Sequence, residues 1–434
     1  MTSMQVVSLT VFLGMLAHMF LSQKISHLGH IMPWKRLGKI IDAIGESELA
    51  PPVWGVIALI TLWISIGQSE AIHLLKEVNF VEPLGLGALA LVGYRVRLLK
   101  VLEIGLIRIS KRFPGQTGFI FLTSWLVPLT GSAVTEPTAA IWTTRPIFNQ
   151  LSRFNGSLSR KLRYDLLGCV PTNLSIGGAI TKFAAPAVVV VSAIWGWSNM
   201  FMLTYFAPIV IAVTFINAAV LVMRNYHELK GLELKPTESE IDSTTIWLTV
   251  IDLILVILTV LAVMSVNVML ILLVVATFLI VNWAVPKEYT DEIEFGMASK
   301  VMLFLGGLLI VGHLQGWWVS QVIRSLSDVP LYFTIAGLTS ITDNALLTLL
   351  VALTAGIALL TKVLAVAAAL GAGGTTLMAN APNVIVKLIW QSMYSEQEMS
   401  MARWFRAALI YATITLCLFL AWFLILDQLG LLVQ

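Results

Sequence analysis

The sequence predicts an all-α integral membrane protein built as an inverted repeat, with two re-entrant hairpins and two broken transmembrane helices. Three observations lead there: apolar stretches of bilayer length, basic loops that fall on one side, and a glycine-rich patch that occurs twice.

Hydrophobic residues make up 58% of the 434 and charged residues 12%, with a mean hydropathy of +0.88. A soluble protein carries about 25% charged residues. A helix needs about 20 apolar residues to cross the hydrocarbon core, and the chain offers apolar spans at 6–22, 52–67, 80–94, 117–142, 164–195, 198–223, 246–265, 267–286, 297–315, 331–361, 362–391 and 404–430. The net charge of +3 does not point to nucleic acid. Cys169 and Cys417 both lie in apolar segments and form neither a disulfide framework nor a metal-spaced cluster. The first apolar run, Val6 to Leu21, has no basic region before it and no small-residue cleavage site after it, and reads as a retained helix.

Lys and Arg position sets orientation. Residues 95–112 hold Arg95, Arg97, Lys100, Arg108, Lys111 and Arg112 against Glu103, and 145–163 hold Arg145, Arg153, Arg160, Lys161 and Arg163 with no acid. Both loops belong to the cytoplasm, so 117–142 must enter and leave on one side. An acidic linker, 224–243, with Glu228, Glu233, Glu238, Glu240 and Asp242, separates two halves. The expected organisation is N-terminal helices in 1–79, a first repeat in 80–223, connecting helices in 244–296 and a second repeat in 297–434, whose hairpin lies around 331–361.

The repeat rests on two segments. Ser175–Val191 and Gly371–Lys387 align without gaps and match at six of 17 positions: Gly177/Gly373, Gly178/Gly374, Ala185/Ala381, Pro186/Pro382, Val188/Val384 and Val190/Val386. Upstream of each lies an acid at the tip of a hairpin, Glu136 in SAVTEPTAAI and Asp343 in TSITDNALLT. One glycine pair by itself is most simply a packing device. Two copies, each after an acid-tipped hairpin, favour a duplicated functional unit with its substrate at the midplane. A carboxylate at that depth costs about 2.5–3.5 kcal/mol or more and is kept for function or pairing. Thr172, Asn173, Thr181, Thr375, Thr376, Asn380 and Asn383 add oxygens that suit a small hard cation; each could instead satisfy backbone groups freed by the breaks.

The TEP and TDN tips, with the GG…AP patches downstream, resemble the ion transporter superfamily, which includes sodium/proton antiporters, arsenite efflux permeases and dicarboxylate transporters. The likeness covers roughly residues 80–223 and 297–430 and is nearest to the bacterial sodium/proton antiporters. It implies paired hairpins and two broken helices around one ion site, with Asp343–Asn344 and Asn383 fitting the pattern. In the first repeat Glu136–Pro137 stands for Asp–Asn, and Ala187 stands where the second copy has Asn383.

The resulting expectation is a sodium (or other monovalent cation)/proton antiporter of the bacterial inner membrane, not an enzyme, needing no cofactor and no metal beyond the transported cation. Asp343 would exchange proton for cation, with Thr342, Asn344, Asn380 and Asn383 as ligands and Glu136 as a second acid. Its partners would be the cation, protons and lipid, with a homodimer as one assembly open to it. Lys182, read as buried mid-span, would balance Glu136 or Asp343, replace a cation, or snorkel; Lys362 and Lys387 read as snorkelling. The alternative is an ion-coupled carrier of an organic anion or oxyanion that uses Lys182 and helix N-termini; a carboxylate-pair hydrolase is a distant third. His18, His27 and His30 read as interfacial polar residues. Trp195, Trp197, Trp317 and Trp318 read as outer-surface anchors.

Overall fold

The computed structural model describes the chain except residues 1, 33, 46–48, 79, 155, 236–242, 291, 353, 355, 396, 397 and 434. Glu238, Glu240 and Asp242 of the acidic linker lie outside the described residues. Helices dominate, with no strand among the described residues. That is what hydrocarbon demands, because a helix satisfies its backbone donors and acceptors within one segment. The chain opens with α1 (Ser3–Ile31), α2 (Lys35–Gly45), α3 (Ala50–Ser65), α4 (Gln68–Glu77), α5 (Val81–Gly93) and α6 (Val96–Ser110). A hairpin follows, α7 (Thr117–Val134) and α8 (Glu136–Leu151), then α9 (Arg160–Gly177), α10 (Pro186–Trp195) and α11 (Asn199–Phe201), which a π-turn at Met202–Phe206 joins to α12 (Ala207–Arg224). After α13 (Tyr226–Gly231) come α14 (Ser243–Met264), α15 (Val268–Ala284), α16 (Phe295–His313) and α17 (Gly316–Ser325). The second hairpin is α18 (Asp328–Thr339) and α19 (Asn344–Ala352), followed by α20 (Leu359–Ala372), α21 (Pro382–Trp390) and α22 (Met401–Gln428).

Six of the described helices are long and apolar enough to cross a bilayer: Ser3–Ser22, Thr117–Val134, Asn199–Arg224, Thr244–Met264, Phe295–His313 and Met401–Gln428. Shorter apolar helices, α3, α5, α10, α15 and α20, accompany them. The protein is therefore a multi-pass membrane protein. Burial sorts the helices. From Val363 to Ala372 every residue of α20 is buried, whereas α14 and α15 leave Trp247, Leu272 and Trp283 exposed. Apolar all round and enclosed is the mark of a core helix; exposed aliphatic and Trp side chains suit lipid.

The two hairpin-and-broken-helix units pack reciprocally. The second arm of the first hairpin, α8, lies on α21, and the second arm of the other, α19, lies on α10. Helix α9 packs on α22, and α5 packs on α16. Each half-helix beyond a break thus rests on the hairpin of the other unit. The second hairpin is shorter than the apolar span 331–361: α19 ends at Ala352, and Leu359–Thr361 already belong to α20.

Two expectations about individual residues need correction. Trp197 is not a surface anchor: it is 2% exposed and stacks on Phe201 with ring centroids 4.5 Å apart. Arg95 and Arg97, counted with the basic segment 95–112, are buried on Asp252 of α14, each with a guanidinium nitrogen 3.0 Å from its carboxylate. The two arginines thereby clamp α14 to the α5–α6 turn. His18 is held between Trp54, whose Nε1 donates to Nδ1 (3.2 Å), and the Ile44 carbonyl (2.8 Å).

Candidate ion site

Each hairpin tip is fastened to the break of its own unit by one serine. Ser132 Oγ donates to the Gly177 carbonyl (2.7 Å) and accepts from the Ile180 amide (3.1 Å), while Thr181 Oγ1 donates to the Ser132 carbonyl (2.6 Å). In the second unit Thr375 Oγ1 donates to Ser340 Oγ (3.0 Å) and Thr376 Oγ1 to the Ser340 carbonyl (2.8 Å). Asn383 Nδ2 staples the second break by donating to the carbonyls of Gly373 and Thr376, both at 2.7 Å. Backbone groups freed by the breaks are thereby satisfied, as burial requires.

Proline restarts both broken helices, Pro186 in α10 and Pro382 in α21. Its missing N–H and fixed φ suit a first helical turn. The glycines before the restarts allow close approach. A Cβ on Gly374 would stand 2.2 Å from the Thr172 amide nitrogen, and one on Gly178 would stand 2.8 Å from Glu136 Cγ. The breaks must therefore be bare backbone if α9 and α20 are to meet at the hairpin tips.

The two acids sit at corresponding but different positions. Asp343 caps α19: its Oδ1 accepts from the amides of Ala345 (2.8 Å) and Leu346 (3.1 Å). Glu136 is the first residue of α8, and the residue before it, Thr135, has φ +76°. Aligned by helix start and by the Ser132/Ser340 clasps, Thr135 corresponds to Asp343 and Glu136 to Asn344. The tips are thus offset by one residue from the acid-to-acid alignment that the sequence suggests. Helix N-termini favour negative charge, so both carboxylates lie where the local backbone tolerates them.

Between the tips lies a buried set of oxygens and amides. Glu136 Oε2 accepts from Asn380 Nδ2 at 2.9 Å, an interaction that joins the first hairpin to the second break. The amide of Asn344 donates to the Ala379 carbonyl at 3.1 Å. Glu136 Oε1, Asn344 Oδ1 and Nδ2, Asn383 Oδ1 and Thr135 Oγ1 are buried with no hydrogen-bond partner in the protein. Such groups cost about 1–3 kcal/mol each when left unpaired. Glu136 (0% exposed) and Asp343 (2%) have no Lys, Arg or His counter-ion within ion-pair distance among the described residues. A site with unpaired carboxylates and spare acceptor oxygens is electrostatically built for a cation or for protons.

The family model described as putative Na+/H+ antiporter matches residues 3–422. The chain belongs to that family. No curated protein matches it. The antiporter is accordingly a transporter, not an enzyme, and the match bears out the antiporter branch of the resemblance, not the arsenite permease or dicarboxylate branches.

Of the sequence-predicted residues, the antiporter brings Glu136, Asp343, Asn344, Asn380 and Asn383 together with the four glycines. Other side chains are committed to the scaffold. Thr172 Oγ1 donates back to Gly168 (2.8 Å), and Asn173 Nδ2 donates to the Ser124 and Thr214 carbonyls. Thr181, Thr375 and Thr376 hold the clasps, and Thr342 is buried at the second tip. Lys182 is not buried mid-span: it is exposed, only its backbone amide is hydrogen-bonded, to Asn199 Oδ1 (3.1 Å), and it makes no ion pair with Glu136 or Asp343. Ser132, Ser340 and Thr135 join the site through contacts in space, and spacing alone does not separate them from the other hydroxyl residues of the apolar spans.

Proposed function

We propose that the protein exchanges a monovalent cation, sodium first, for protons across a bacterial inner membrane. Asp343 and Glu136 are the exchangeable acids. Asn344, Asn380, Asn383 and Thr135 with the carbonyls of the breaks are the neutral ligands. The observation that carries this reading is the pair of buried carboxylates with no basic partner beside acceptor oxygens that bond to nothing. Coupling then needs only competition, because a carboxylate holding a proton is a poor ligand for a metal ion. The reciprocal packing of α8 on α21 and α19 on α10 supports an inverted repeat of 80–223 and 297–434, with the hairpins opening on opposite faces and alternating access by movement of these units against the remaining helices. An anion is not favoured, since the helix N-termini that would hold it already carry Glu136 and Asp343.

The test is a proton-gradient assay in inverted vesicles containing the protein. Sodium should dissipate the gradient, Glu136→Gln should slow this severalfold, and lowering the pH should raise the half-saturating sodium concentration. Dissipation that depends on an added oxyanion or dicarboxylate, with sodium alone inert, would overturn the reading.

A further inference from the structure

Outside the hairpin site, one cavity holds charge that the exchange reading does not use. It has a volume of about 340 Å³ and lies between α5, α10 and the end of α14. Glu82, in the first turn of α5, and Val266, just past α14, line it; Thr135 and Pro137 of the first hairpin tip line it too, as does Lys182 from the first break. Most of the remaining wall is aliphatic. By the positive-inside rule the starts of α5 and the ends of α10 and α14 face outward, so the cavity runs from the outer side toward Glu136.

Glu82 is half-buried, yet its carboxylate makes no hydrogen bond or ion pair with any described residue. Lys182 shares the cavity but is not paired with Glu82. Thr135, whose Oγ1 is also without a partner, lines this cavity and directly precedes Glu136 in the chain. A carboxylate on low-dielectric walls concentrates cations locally. An access route must hold its ion well enough to admit it and weakly enough to release it inward, and a nearby fixed cation supplies the second condition.

We propose that this cavity is the outer access site for the transported monovalent cation, with Glu82 as the carboxylate that receives it and Lys182 as the fixed charge that limits its dwell. The inference rests on the cation/proton reading and extends it by one station. It follows that the field in the cavity depends on both residues, with opposite signs.

The test places a cysteine in the cavity wall, Ala193→Cys, in a Cys417→Ala background. Outer-face labelling by a positively charged and by a negatively charged membrane-impermeant methanethiosulfonate is then compared in right-side-out vesicles, with inverted vesicles from the same cells giving cytoplasmic-face labelling and exchange. Glu82→Gln should lower the cationic-to-anionic rate ratio by about sevenfold, since one unit charge at ~7 Å through a water-like dielectric changes each reagent's rate about threefold, in opposite directions. Glu82→Asp should retain the ratio, Lys182→Gln should raise it, and sodium should slow the cationic reagent only where position 82 keeps a carboxylate. An unchanged ratio in Glu82→Gln, labelling only from the cytoplasmic face, or labelling from neither face would overturn the access site. Exchange by the unlabelled protein is read separately: its absence would remove the antiport reading, whereas its presence with an unchanged ratio removes the access site and leaves that reading standing.

Discussion

Replacing Asp343 by asparagine and, separately, by alanine divides its two tasks, capping α19 and carrying charge. As the cap, its Oδ1 accepts from the Ala345 and Leu346 amides at 2.8 and 3.1 Å. Asparagine caps a helix about as well as aspartate, while alanine costs about 0.5–2 kcal/mol. Buried amides left without an acceptor add about 1–3 kcal/mol. Asp343→Asn should therefore melt close to the wild type, and Asp343→Ala clearly below it. The charge is a different matter. A unit negative charge ~4 Å from a cation contributes about 4 kcal/mol at an effective dielectric of ~20, close to three decades of affinity at about 1.4 kcal/mol per decade. The amide also has no proton to exchange. Both variants should lose sodium-driven proton movement in proteoliposomes, read with a trapped pH dye, while thermal unfolding in detergent separates them. Exchange by Asp343→Asn at the wild-type rate would refute the carrier role and make Glu136 the first candidate. A stability loss in Asp343→Asn equal to that in Asp343→Ala would refute the capping argument.

Gly374→Ala puts a Cβ 2.2 Å from the Thr172 amide nitrogen, a backbone atom with little room to move; it should cost about 1–3 kcal/mol by overpacking and lower the melting temperature. Gly105→Ala in α6 meets nothing within 4 Å and should be neutral or stabilising by up to about 1 kcal/mol, which makes it the control in the same melt. Asp252→Ala leaves Arg95 and Arg97 buried without their carboxylate and should destabilise by about 3–5 kcal/mol. Folded protein recovered from membranes at the wild-type level and melting temperature would show that the clamp contributes little.

The membrane class, the helical spans, and the sequence of hairpin, acid and glycine break are all legible in the chain. Each is set locally. Span length answers to bilayer thickness, and glycine with proline marks a break whatever packs around it. The apolar span 331–361 overstates the second hairpin because Ile357–Leu360 are as apolar as the residues before them, and hydropathy does not register a turn between two buried helices. Tertiary structure decided which polar residues share a site. Asn173 and Asn380 look alike in sequence, yet one bonds the Ser124 and Thr214 carbonyls and the other reaches Glu136, 244 positions away. Lys182 and Trp197 exchanged their expected environments for the same reason. A side chain's burial depends on what the opposing helix presents, and that helix comes from elsewhere in the chain. The one-residue offset between Glu136 and Asp343 is of this kind too. Counting residues aligns acid with acid, but the serine clasps and helix starts that set the register are contacts in space.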